Sequence, residues 1–126
     1  MAKKDLFIKN SFEIIEQKDH FYLLVKKINK NSSNPVINNN EKELEKYQGL
    51  NILYSKQCPW VARFIYEVED LIKKYKINII EIKNSKEAQK NPNIYGTFTF
   101  INNSKILSDR YISRTRFINI LTKEIK

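Results

Sequence analysis

Cysteine occurs once in these 126 residues, at Cys58. No disulfide can close within the chain, which suits a reducing compartment, and the cytoplasm is the expected location. Glycine occurs twice, at Gly49 and Gly96, and neither belongs to a Gly-rich loop of the kind that cradles a phosphate at a helix start. The single histidine, His20, lies in or beside a predicted turn. With one histidine and one cysteine, a zinc site would need carboxylates for most of its ligands, so no metal is expected and His20 reads as a surface turn residue. No apolar run approaches the roughly 18 residues of a membrane span. The opening "MAKKDLFIKN" has no long apolar core for a secretory signal. No internal repeat is visible.

Arginine is scarce as well: four residues (Arg63, Arg110, Arg114, Arg116) against nineteen lysines. The formal charge of +9 raises the question of nucleic acid, because cationic surfaces release counterions from phosphate. The excess is lysine, however, in a chain also rich in Asn and Ile, the bias of a low-GC genome. The residue best suited to bidentate reading of bases and phosphates is the rare one. Nucleic acid is therefore set aside as a partner, and so is a membrane.

What is present is a folding chain, with 41% hydrophobic and 12% aromatic residues. "MAKKDLFIK" reads as a helix end. "SFEIIE" and "HFYLLVKKI" read as two strands joined through "QKDH", hence a hairpin. Residues 29–40, "NKNSSNPVINNN", form the best internal boundary, followed by a short charged helix in "EKELEKY". This divides the chain into 1–28 (helix and hairpin), 29–48 (linker and short helix) and 49–126.

From Leu50 the pattern is regular. "LNILYS" suits a buried strand. "VARFIYEVEDLIKKYK" places Val61, Phe64, Ile65, Val68, Ile72 and Tyr75 on one helical face. Glu67, Glu69 and Asp70 lie within one turn. The i,i+4 pairs Glu69–Lys73 and Asp70–Lys74 favour a solvated face there over acid–base chemistry. "INIIEI" reads as a second buried strand, parallel to the first because a helix separates them. "SKEAQKN" reads as a short helix stopped near Pro92. "TFTFI" and "KILS" flank Asn102-Asn103-Ser104, a tight hairpin turn because Asn tolerates positive φ. "SRTRFINILTKEI" closes as a helix. The expected fold class is α/β, in the order β-α-β-α-β-β-α, with an N-terminal helix and β-hairpin extension.

Cys58 stands where the first of these strands hands over to a helix. Unpaired backbone N–H groups and the positive end of the helix dipole favour its thiolate, and Lys56 adds positive potential. Pro59 suits the first helical position. Cys58 is thus the one candidate catalytic residue. Trp60 beside it could line a ligand groove or plug the helix start, and the plug is preferred. "SDRYISRTR" gathers Arg110, Arg114 and Arg116 around Tyr111, an anion-binding candidate that fits a capped, solvated helix start about as well.

"LYSKQCPW" resembles the active-site loop of glutaredoxins, with its strand, lysine and Cys-Pro-aromatic sequence. The family's second cysteine falls on Val61, which excludes a dithiol cycle within the chain. "GTFTFINN" is similar to the family's Thr-Val-Pro strand, with Thr97 at the place of its cis-proline and Gly96 before it. The family's Gly-Gly turn would fall near Ser108-Asp109 and is missing. The resemblance implies a thioredoxin-like domain and a groove to which Lys56, Trp60, Tyr95 and Thr97 contribute. It also leaves a monothiol redox activity through Cys58 as the alternative function.

The N-terminal stretch "LFIKNSFEIIEQ…FYLLVKKI" resembles the last helix and final two strands of GNAT-type N-acetyltransferases. Phe7, Lys9, Asn10, Ser11 and Phe12 follow that family's aromatic-x-Lys-x-Gly-Phe pattern, with serine in place of glycine. The whole order is similar to the YoaP-like class, a GNAT domain followed by a thioredoxin-like C-terminal domain. The family's general-acid tyrosine falls on Phe7, which has no hydroxyl. The resemblance therefore implies a non-catalytic accessory or recognition domain of a GNAT-type acetyltransferase. Acetyl transfer by this chain alone is not expected. Acetyl-CoA enters as a cofactor only where a complementary GNAT domain supplies its site, and the implied partner is such a domain or a second copy.

Overall fold

The computed structural model describes residues 3–37, 40–94 and 96–125. It is a mixed α/β structure with two sheets, dividing into two compact units, Met1–Asn38 and Asn39–Lys126.

The first unit holds α1 (Lys4–Lys9) and the antiparallel strands β1 (Glu13–Lys18) and β2 (Phe21–Val25). The hairpin turn is Asp19-His20 alone. It is narrower than "QKDH", because Gln17 and Lys18 pair with Tyr22 and Phe21, and Asp19 takes φ 53°. The register slips between Ile14 and Glu16, an irregularity that bends the strand. α1 ends on a tight return in which Phe12 N donates to Phe7 O (3.1 Å) and Ser11 N to Ile8 O (3.1 Å). Ser11 there takes φ 66°, the left-handed backbone for which glycine is the unstrained choice. Phe7 and Phe12 meet edge to face across the turn, centroids 5.5 Å apart. No described residue of this unit is buried, and Leu6 is 58% exposed.

The second unit carries β3 (Leu50–Tyr54), α2 (Pro59–Glu67), α3 (Glu69–Lys74), β4 (Asn78–Glu81), α4 (Ser85–Gln89), β5 (Phe98–Asn102), β6 (Lys105–Ser108) and α5 (Arg114–Glu124). "EKELEK" precedes them as a 3₁₀ stretch, Glu41–Lys46, rather than an α-helix. The sheet order is β4-β3-β5-β6, with β3–β4 parallel and the other two pairs antiparallel. β3 and β5 are central, which is why their runs "NILY" and "FTFI" are buried on both faces, the polar Asn51 and Thr99 included. Asn103 and Ser104 make the two-residue turn with φ 45° and 65°. That turn is fastened to the start of β3: Gly49 N donates to Asn103 Oδ1 (2.8 Å) and Ser104 N to Tyr47 O (2.8 Å).

Helices α2 and α5 supply Phe64 and Phe117 to a shared aromatic cluster. Phe64 packs edge to face on Phe98 (5.3 Å) and Phe117 (5.5 Å), and Phe117 lies 4.9 Å from Phe100. Phe100, Phe117, Val68 and Leu121 are wholly buried. The single helix expected over residues 61–76 is two, α2 and α3, meeting at Val68 (φ −109°, ψ 13°). The Glu67 carbonyl, which a continuous helix would use internally, instead accepts from Arg114 Nη1 at 2.7 Å.

Between α4 and β5 lies a buried polar hub that the sequence pattern did not announce. Asn93 Nδ2 donates to both Phe98 O and Asp109 O, each at 2.8 Å, and Asn93 N donates to Asn91 Oδ1 at 3.0 Å. Asn40 Nδ2 donates to Asn91 O at 2.9 Å. These bonds tie the entry of β5 to the exit of β6, and they set where the loop leading to α5 begins.

Candidate functional site

The β3–α2 connection presents Cys58 as the N-cap of a nine-residue helix, with Pro59 at the first helical position. The Cys58 carbonyl already accepts from Val61 N (3.2 Å) and Ala62 N (3.3 Å), while its side chain makes no capping bond. The thiol is half-buried and packs against the core, so the same residue serves helix initiation and a partly reachable sulfur. Val61, one turn on, is 1% exposed and belongs to the core.

The other expected groove residues part company here. Lys56 Nζ reaches Glu81 on β4 at 3.8 Å. Thr97 lies beside the β3–α2 connection through its carbonyl, which accepts from Ser55 N at 2.9 Å. Tyr95 falls outside the described residues. Trp60 is not a plug. The residue is 59% exposed, because on α2 the positions turned to the sheet are Val61 and Phe64 while residue 60 faces outward.

That outward face makes the wall of an open groove of about 470 Å³. Trp60, Arg63 and Glu67 stand at i, i+3 and i+7 along α2, the buried Phe64 also borders the groove, and Arg110, Tyr111, Ile112 and Arg116 face them from the β6–α5 loop and the start of α5. Of the three arginines expected around Tyr111, Arg110 and Arg116 line this groove with it, Arg63 joins them from α2, and Arg114 does not. Arg110 Nε pairs with Asp109 (2.9 Å), Arg63 Nε with Glu67 (2.9 Å), and Arg116 has no side-chain partner among the described residues. Arg114 points the other way, to Asp70, with two parallel bonds of 2.6 Å. This replaces the expected Asp70–Lys74 pair: a planar guanidinium satisfies both carboxylate oxygens at once, which an ammonium cannot. The bonds from Arg114 hold the Asp70 carboxyl down to about 2. Glu69–Lys73 forms as expected at 2.7 Å. Ser113 Oγ caps α5 by accepting from Arg116 N (3.3 Å).

His20 is exposed in its turn, as the sequence suggests. Among the described residues no cluster of three His, Cys, Asp or Glu could hold a metal, and no helix is long and apolar enough to cross a membrane. A second concavity, of about 680 Å³, lies within the first unit, its lining including Phe7, Phe12, Tyr22, Leu23 and Leu24 together with the charged Lys3, Lys4 and Asp5.

Comparison with known proteins gives one distant relationship. Over 76 residues, 59% of this chain, the sequence is 28% identical to the Bacillus subtilis (strain 168) protein named "Uncharacterized N-acetyltransferase YoaP". The chain spans 30% of that relative's length. No family model matches the chain, and no solved structure matches it.

Proposed function

We propose that this chain is an accessory and recognition part of a GNAT-type N-acetyltransferase, built as a thioredoxin-like domain with a GNAT-tail-like helix and hairpin before it. The observation that carries the reading is the first unit. A helix and one hairpin with no buried residue among those described supply no core of their own, and an isolated two-stranded sheet is marginal in water. Leu6, Ile8 and Ile14 stay exposed, so the unit is suited to completion by another apolar surface, a GNAT domain or a second copy. The resemblance of Phe7–Phe12 to the GNAT pattern and the name carried by the distant relative support the acetyltransferase setting. The strand order β4-β3-β5-β6 and the Cys-Pro helix start support the thioredoxin-like description. Within this chain two glycines leave no loop for the acetyl-CoA pyrophosphate.

Sedimentation velocity tests this reading. The chain should self-associate with concentration, or form a stable complex with a GNAT domain supplied as a separate chain. Leu6→Lys with Ile14→Lys should abolish either association. A strict monomer that ignores the GNAT domain would refute the proposal, as would acetyl-CoA binding by the chain alone in calorimetry.

A second reading rests on Cys58 itself, a half-buried thiol at a helix start with no capping bond. In a monothiol cycle the Cys58 thiolate attacks one sulfur of a disulfide. A new S–S bond forms, and the other sulfur leaves as a thiolate that takes up a proton. Incubation with oxidised glutathione should then yield a mixed disulfide that reduced glutathione removes, with Cys58→Ser inert. A thiol that forms no adduct in the folded protein sinks this reading.

A further inference from the structure

We infer that the groove between α2 and the β6–α5 loop binds an acidic peptide segment with apolar or aromatic residues between its carboxylates. This gives the recognition role proposed above its ligand, and it rests on that reading only for its setting. Composition is the first argument. In a chain of nineteen lysines and four arginines, three arginines line this one groove, and no lysine does among the described lining residues. The guanidinium fork meets a carboxylate through two parallel bonds, whereas lysine offers only a point charge.

The second argument is the state of those arginines. Arg116 is exposed and has no side-chain partner among the described residues. Arg63 and Arg110 hold Glu67 and Asp109 in exposed pairs, and exposed pairs are weak enough to be exchanged for an incoming carboxylate. Three cations against two acids, Glu67 and the neighbouring Asp109, leave the site net positive.

The third argument is shape. Trp60 at 59% and Tyr111 at 42% exposure stand over a floor containing Phe64 and Ile112, so side chains between the carboxylates find apolar contact. The groove is open to solvent rather than enclosed, which suits a peptide segment better than a buried small molecule. Its two walls are also held in place. Arg114, at the start of α5, bonds Asp70 and the Glu67 carbonyl at the α2–α3 junction, and Asn93 holds the Asp109 carbonyl. A prearranged groove loses little entropy when occupied.

Trp60 is the sole tryptophan, so intrinsic fluorescence reports this groove directly. A short synthetic peptide alternating glutamate with leucine and phenylalanine should shift or quench the emission saturably. Its glutamine counterpart should bind at least about tenfold more weakly, and so should Arg116→Gln or Tyr111→Ala with the acidic peptide. Affinity should fall as salt is raised. Equal binding of the glutamine peptide, or an unchanged affinity in Arg116→Gln with circular dichroism intact, overturns the inference. So does an emission that the acidic peptide leaves unmoved, or one that responds to single-stranded oligothymidylate in its place. Groove variants should leave the sedimentation of the chain unaltered, so failure here is distinct from failure of the first-unit interface.

Discussion

Phe117→Ala should cost the second unit about 3–5 kcal/mol, the usual range for truncating a wholly buried aromatic. Phe117 is where α5 meets the sheet. Its ring touches Phe64 from α2 and Phe100 from β5, so its loss opens a cavity that three elements share. Those elements are held by a central sheet and cannot simply collapse inward, which places the cost toward the upper part of the range. Small domains hold only about 5–15 kcal/mol in total, so this variant should stand close to unfolding at room temperature. Urea titration followed by Trp60 emission, which lies in the same unit, measures the change as a fall in midpoint at constant slope. Phe117→Leu should lose distinctly less. A cost under about 1 kcal/mol for the alanine variant would mean that α5 is not packed on this cluster.

Asn93→Ala should be the most damaging polar substitution, at about 2–5 kcal/mol. One side-chain amide satisfies two main-chain carbonyls, Phe98 O and Asp109 O, in a region where Asn93 is 5% exposed. Each group left buried without a partner costs roughly 1–3 kcal/mol. Asn93→Asp should do no better, because a carboxylate presents oxygen to both carbonyls where the amide presented its N–H₂. The same urea titration gives the energy. Amide hydrogen exchange should show the β5–β6 ladder losing protection in the variant, since Asn93 ties the entry of β5 to the end of β6. A change below about 1 kcal/mol would show that water replaces the amide at no cost.

Both predictions concern residues separated along the chain from what they hold, and that separates what was legible in the sequence from what was not. The short apolar runs in "NILY" and "FTFI", the helical spacing in "RFINIL" and the Asn-Asn-Ser turn each depend on neighbours a few residues away. The element order and the parallel β3–β4 pair were readable for that reason. The helix start at Cys58-Pro59 was readable too, because capping is a local matter of φ and orphan N–H groups.

The misread features have a common cause. An unbroken helix over 61–76 and an Asp70–Lys74 pair were the best local solutions. Arg114, forty-four residues from Asp70, overrides both by taking the Glu67 carbonyl and the Asp70 carboxylate. Trp60 looked like a plug because apolar rings usually find cover, yet the positions turned to the sheet were filled by Val61 and Phe64. Asn91 and Asn93 carried no signal in a chain so rich in asparagine, and only the approach of β5 to the end of β6 makes them a hub.

By itself, then, the amino-acid sequence determined the order of strands and most helices and the single thiol at a helix start, since these follow from periodicity, capping and composition. Tertiary structure alone decided that three scarce arginines and two exposed aromatics line one groove, and that no described residue of the first unit is buried. The physical reason is that burial and ion pairing are fixed by which distant segments meet. No local preference of the chain encodes that meeting.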